Sequence, residues 1–452
     1  MRLLNALTLK FEKADWSKNP EFGLIDTILE MNPELFTCCG LANDITVGVK
    51  ESEFGRKDIP TVEQIVRAAI YKEMKGLDYR ELEYAQSDSR ICANFIKLDM
   101  RKPYSFQMFQ KYISKIKEAS LQKFLVAINK ISIGEGLEDL TKLKQDSTVV
   151  KSNIHYPTNN ALVWDCIKES HRLLEHLNEE INDKPYRDYL KSAKKTYYKI
   201  NNTKSENKRT ELFRKQLVTF TKTINQVSNA VKKKLVPNEL GIMALSYLIA
   251  LEDLLPLLDQ VYHMTYWREI KKQPVPNEEK IFSIYERHAD IIVKGGREIQ
   301  FGHKVNLAVG KSNLILDCKV VRGNPSDTSL YQPTIERITA NYNKIPRDIS
   351  CDGGYASNEN IEYSRKKGII NIVFCKVRGS MQNIVSSLNI ETRLKKWRSG
   401  IEAVISNYKR GFNISVCNWK GWEHFEAKVL WSTIAYNFRV MTALVLEKFA
   451  KV

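Results

Sequence analysis

Three carboxylates in this 452-residue chain stand where ligands of a hard metal ion would stand. Asp146 lies in LKQDSTVV, whose β-branched residues read as a strand. Asp352 closes a second strand, DISCD, and is followed by Gly353 and Gly354, where the chain can turn sharply and leave the carboxylate exposed. Glu402 lies on the helix RSGIEAVISNYKRGF, one turn after Arg398 and two turns before Lys409. Residues at those steps return to nearly the same helical face, so Arg398, Glu402 and Lys409 form one stripe. Taken singly, the stripe reads as an exposed ion-pair ladder and Asp-Gly-Gly as a turn. Taken together, they suit in-line displacement at phosphate. Two Mg2+ ions there need oxygen ligands from separate elements, and nearby cations would hold the phosphates.

The elements that must position these groups are of mixed type. Residues 1–140 read as helices. Thr61 and Gln64 have capping-box spacing, and Ile65, Ala68, Ala69 and Lys72 continue a helical period that Gly76 ends. Asp78 and Glu81 start another helix. Ser105 to Ile116 make a third, with Phe106, Phe109, Tyr112, Ile113 and Ile116 on its apolar face. Short helices around a glycine turn suit a helix-turn-helix unit, or equally a small bundle of any purpose. Residues 161–290 form a second helical region, broken near Pro185, Pro237 and Pro274–Pro276. From Ile291 the alternation of strands returns. HKVNLAV and LILDCKVV pair around Gly310, a helix runs from Ser326 to Tyr342, and DISCD, a helix from Asn358 to Lys367 and IINIVFC follow. From Ile401 the chain is helical again. The expected fold is α/β: a mixed sheet with helices from 141–160 and 291–452, preceded by an all-helical region and interrupted by a helical insertion.

Charge narrows the partner. Seventy Lys and Arg against 53 Asp and Glu leave +17, with a pI near 9.3. Residues 184–235 hold 15 Lys and Arg against 3 Asp and Glu, Lys194, Lys195, Lys232 and Lys233 among them. Such a run suits a nucleic-acid backbone, and the bland alternative is a solvated face. The eight cysteines form no C-x-x-C pair, so buried free thiols are expected rather than a zinc ribbon or redox motif. The most apolar stretch, Gly241 to Leu251, is too short to span a bilayer, and the N-terminus lacks a secretory pattern. A cytoplasmic protein with no membrane partner is the expectation. VGKS at 309–312 lacks the first glycine of a phosphate loop, since Val305 stands in its place. His171 and His176 have the wrong spacing for a zinc-protease helix. Asp317 and Asp348 lack the Gly-Gly setting of Asp352, and Trp419, Trp422 and Trp431 read as core.

DSTVVKSNIHYPTNNALVWD, SCDGGYAS and RSGIEAVISNYKRGF resemble, in order, the three catalytic blocks of bacterial insertion-sequence transposases of the DDE type. GRKDIPTVEQIVRAAIYKEMKGLDYRELEYAQSDS resembles their N-terminal helical region. The resemblance implies a ribonuclease H-like catalytic fold. Asp146, Asp352 and Glu402 would be its catalytic triad, binding two Mg2+ ions with Mn2+ as a substitute. Arg398, Glu402 and Lys409 match the last three positions of a Tyr-Arg-Glu-Lys signature, and Lys395 occupies the Tyr position, where its point charge would meet phosphate. The implied partners are double-stranded DNA, both terminal repeats and target, and a second copy of the chain on that DNA. The rival readings are a domesticated DNA-binding protein, which has no need of three placed carboxylates, and a nuclease without strand transfer.

Overall fold

Both capping boxes form as their spacing predicts: Thr61 and Gln64 exchange side-chain-to-backbone hydrogen bonds, as do Asp78 and Glu81. Gly76 ends the first of these helices at φ 67°, a left-handed conformation that glycine adopts freely. The computed structural model describes residues 16–37, 39–46, 59–98, 102–182, 186–232, 241–294, 298–375 and 383–449. Cys38, Lys233, Pro185 and Pro237 lie outside them. Two compact units emerge, one of Met1–Lys151 with Gly302–Val452, the other of Ser152–Phe301.

The first unit begins with α1 (Pro20–Met31), α2 (Leu41–Thr46), α3 (Val62–Lys75), α4 (Tyr79–Asp88), α5 (Arg90–Phe95), α6 (Phe106–Ile113) and α7 (Glu118–Gly134). Helix α6 stops three residues short of Ile116. There the bonds tighten to Lys115 N–H on Tyr112 O and Ile116 N–H on Ile113 O, and this turn buries Ile116. Strand β1 (Lys142–Ser152) leads into the second unit, which comprises α8 (Asn159–Ile181), α9 (Leu190–Asn202), α10 (Glu206–Lys232), α11 (Ile242–Thr265) and β2 (Asp290–Lys294). Its core is Leu162, Leu174, Phe220, Leu251 and Leu258, and Gln216 holds the buried Asn160 by a 2.7 Å bond. Lys194, Lys195 and Lys232 are exposed on α9 and α10.

The chain re-enters the first unit through β3 (Glu298–Val309), followed by β4 (Ile315–Val321), α12 (Asp327–Tyr342), β5 (Asp348–Asp352), α13 (Asn358–Lys366) and β6 (Asn371–Cys375). The last elements are α14 (Leu388–Gly411), β7 (Val416–Cys417) and α15 (Trp422–Phe449). A seven-stranded mixed sheet has the order β2-β3-β1-β5-β6, with β4 on β3 and β7 on β1. Strand β3 is antiparallel to β1 and β4, and β5 is parallel to β1 and β6.

Helix α15 is the core helix of the first unit. Trp431, Ile434, Ala435 and Phe438 on it are fully buried, and it packs on α3 and α7. By length and composition Trp422–Lys448, rather than the shorter apolar stretch 241–251, could also cross a membrane. A helix apolar on all sides and mostly buried in its own unit is what a packed core requires. One charged cluster sits against it. The Glu73 carboxylate of α3 is ion-paired with Lys428 of α15, with Lys72 at 3.2 Å, and accepts a bond from Ser432. The Lys72 ammonium also lies over the Tyr79 and Trp419 rings, 4.9 and 5.4 Å from their centroids. The seven cysteines among the described residues are buried.

Candidate active site

The β1–β5 pairing decides where the two aspartates meet. Its parallel register runs Lys142 with Asp348, Leu143 with Ile349, Lys144 with Ser350 and Gln145 with Cys351. The next residue on each strand is Asp146 and Asp352. Two carboxylates far apart in the chain therefore stand at neighbouring positions of adjacent strands. Beyond Asp352 the backbone enters a short 3-10 turn, Gly353–Tyr355. Gly354 sits close to α12: a Cβ on it would lie 3.2 Å from Oδ2 of Asp327, a tight contact. The Thr328 hydroxyl donates to Gly354 O at 3.0 Å, which ties the start of α12 to the turn.

Helix α14 packs on β5 and β6, with the Ser350 hydroxyl donating to Leu394 O at 3.3 Å. This brings the α14 stripe over the strand ends. The Arg398 guanidinium enters the middle of the three carboxylates: Nη2 is 3.2 Å from Oδ2 of Asp146 and 3.6 Å from Oδ1 of Asp352, and Nη1 is 3.8 Å from Oε1 of Glu402. Arg398 is buried, while side-chain exposure rises from 14% at Asp146 to 42% at Asp352 and 69% at Glu402. The site thus opens outward across α14, as a face able to meet a large substrate rather than a closed pocket.

Lys409 is on the same helix, but its ammonium donates to Val149 O of β1 at 2.8 Å. Lys395 pairs with Glu391 at 2.7 Å on the outer side of α14. The structure therefore brings Asp146, Asp352, Glu402 and Arg398 to one place and Lys409 to Val149, three residues beyond Asp146 on β1. Lys395 lies outside the cluster. Lys194, Lys195 and Lys232 belong to the other unit.

Sequence reasoning missed the polar groups beneath. Lys144, two residues before Asp146, is buried; its ammonium donates to Asn313 Oδ1 at 2.8 Å and lies over the Trp397 ring. Burial pulls it down to about 8. The Ser147 hydroxyl and the Lys304 ammonium both donate to Asp327 Oδ1, at 3.0 and 3.1 Å. Gln145 donates to Asn306 and Thr334, and Tyr355 donates to Asn306, in a buried network under β1. A signal did exist for Asp327: Pro-Ser-Asp-Thr is a helix start. The decoys are occupied otherwise. Asp317 and Asp348 are gripped bidentately by Arg337 and Arg347, and Ser312 of VGKS donates to Glu138.

The donor set suits a hard divalent cation. Three carboxylates from a strand, a strand end and a helix surround one positive group, and Cys351 beside them is a buried thiol pushed well above its ordinary value. Among the described residues, no three His, Cys, Asp or Glu side chains stand at metal-holding distances, and the Arg398 guanidinium lies among the three carboxylates.

Residues 286–438 match the family model of the transposase DDE domain. The match supports a DDE-type transposase. It includes Asp352, Arg398, Glu402 and Lys409 and leaves Asp146 outside. No curated protein and no solved structure matches the chain.

Proposed function

We propose that the chain is a bacterial insertion-sequence transposase that cuts DNA at the element's ends and joins the freed ends to target DNA. The observation that carries this is the convergence of Asp146 within β1, Asp352 at the end of β5 and Glu402 on α14 around one cationic group. These three carboxylates would hold two Mg2+ ions, or Mn2+, which when bound supply Lewis-acid activation of the phosphate and of the attacking oxygen. Everything else is positioning. The open side of the site admits a duplex backbone, and the buried network of Gln145, Asn306, Thr334 and Tyr355 fixes the β1 register that sets Asp146 beside Asp352. A mixed sheet with carboxylates on adjacent strands and on the covering helix supports a ribonuclease H-like reading.

Arg398, Lys409 and Lys395 would meet DNA phosphates, and the basic helices α9 and α10, with Lys194, Lys195, Lys232 and Lys233, would track backbone. Residues 1–140 would bind terminal repeats as a DNA-binding region. Residues 161–290 would be the basic insertion, and 141–160 with 291–452 the catalytic domain. Two copies would act on paired ends, in the cytoplasm. The test is incubation with DNA bearing the element's own ends and Mg2+ or Mn2+. Precleaved ends carrying a 3′-hydroxyl should be inserted into a target plasmid, and 3′-deoxy ends should bind equally but give no joined product. Cutting without joining would favour the nuclease, and binding with neither activity the domesticated protein.

A further inference from the structure

The manner in which Arg398 is held differs from that of two bidentate arginine pairs in the same unit. Arg337 grips Asp317 with two short bonds, at 2.9 and 2.7 Å, and Arg347 grips Asp348 at 3.1 and 2.8 Å. These are fork-on-carboxylate contacts, the strongest geometry a guanidinium offers. Arg398 forms none. Its two terminal nitrogens are spread over three carboxylates, only Asp146 lies within hydrogen-bond distance, and its buried Nε has no hydrogen-bond partner. A group so placed is retained by the summed charge around it rather than by directed bonds. Three carboxylates around one guanidinium leave the cluster short of positive charge.

A Mg2+ ion needs its oxygens at about 2.0–2.1 Å, and among the described residues no three His, Cys, Asp or Glu side chains stand close enough to hold a metal. With the guanidinium among them, the oxygens are held too far apart. We propose that Arg398 is a built-in stand-in for the metal: without metal it gathers and partly neutralises Asp146, Asp352 and Glu402, and divalent cations must displace it to bind. This rests on the reading of the three carboxylates as metal ligands. The displaced side chain, one turn before Glu402 on the covering helix, is then free to grip a phosphate. Metal loading and phosphate capture thus become one coupled step. The coupling also delays occupancy of the site: cations compete with a tethered arginine until DNA offers the arginine a better anion.

The experiment is calorimetric titration of the DNA-free full chain with Mn2+, for wild type, Arg398→Gln, Arg398→Lys and Asp146→Asn. Removing a unit positive charge within a few ångströms of a doubly charged ion should tighten Mn2+ binding at least about tenfold in Arg398→Gln. Arg398→Lys keeps the charge but cannot span three carboxylates, so its affinity should fall between the two. Asp146→Asn should bind most weakly. Thermal unfolding gives the second readout: Arg398→Gln should melt below wild type in chelator and gain more from Mn2+. Mn2+ binding by Arg398→Gln no tighter than wild type, or tighter binding in neither Arg398 variant, would overturn the proposal while leaving the metal site intact. Absence of Mn2+ binding in both wild type and Arg398→Gln, or binding unchanged in Asp146→Asn, would instead overturn the metal reading on which it stands.

Discussion

Where α14 crosses β1 and β5, three carboxylates share one guanidinium; between α3 and α15, one carboxylate shares two ammonium groups. The two clusters lie in the same unit and are unbalanced in opposite senses. The inner one solves its excess locally. Glu73 is sealed, Ser432 adds a hydroxyl, and the surplus charge of Lys72 rests on the faces of Tyr79 and Trp419. The outer one stays open to solvent, and its exposure grows from Asp146 to Glu402. A closed, compensated cluster holds helices together, whereas an open cluster in charge deficit is suited to receive something from outside.

The comparison breaks most visibly under substitution. Asp146→Asn, Asp352→Asn or Glu402→Gln should each lower DNA cleavage by at least about a thousandfold, because losing a metal ligand removes several kcal/mol of transition-state stabilisation. Their unfolding free energies should hold or rise, since each change removes one of three mutually repelling charges. Wild-type cleavage by any of them in a gel assay removes that residue from the site. The opposite pattern is expected inside. Glu73→Gln should cost about 3–5 kcal/mol in denaturant unfolding, because it leaves two buried ammonium groups without their carboxylate. Burial raises the Glu73 carboxyl, but Lys428 and Lys72 outweigh it and hold it below its ordinary value. Its contribution is therefore full above the unfolded pKa and lost as pH falls through the folded one, and Glu73→Gln should flatten that acid limb.

Exposed charge should behave unlike either cluster. If α9, α10 and their flanks neutralise about six phosphates, DNA affinity should drop roughly a thousandfold between 50 and 200 mM salt. Charge reversal at Lys194, Lys195, Lys232 and Lys233 should flatten that slope and weaken all sequences alike. An unchanged slope in filter binding would leave these lysines as a solvated face. The smallest effect belongs to the pair Lys395–Glu391, one helical turn apart and half-exposed. Lys395→Ala should cost about 0.3–0.5 kcal/mol of stability, and a loss of several kcal/mol would show that α14 is held differently.

What the sequence discloses here follows the range of the interaction. Capping boxes at Thr61 and Asp78 depend on residues three apart, so they were legible, as were β1, the β3–β4 pair and the strand DISCD. The stripe Arg398–Glu402–Lys409 was legible as helical spacing, but its aim was not. That Arg398 turns toward the carboxylates and Lys409 toward Val149 depends on how α14 lies over the sheet. The adjacency of Asp146 and Asp352 likewise depends on a parallel register between strands far apart in the chain. Buried lysines are hardest of all. Lys72 fits the helical period of its neighbours, yet only tertiary structure supplies the rings and the carboxylate that let it stay inside.

The pairing of β1 with β3 runs on to Lys151 and Gly302, the residues at which the helical unit departs and returns. Its two ends are therefore pinned about 5 Å apart by backbone hydrogen bonds of the sheet itself. Seen from the sheet, everything between them is a hairpin loop grown very large, and the entropy of closing a loop rises only slowly with its length. Such a detour can lengthen, shrink or be exchanged over evolutionary time without shifting the strand that carries Asp146 by a single residue.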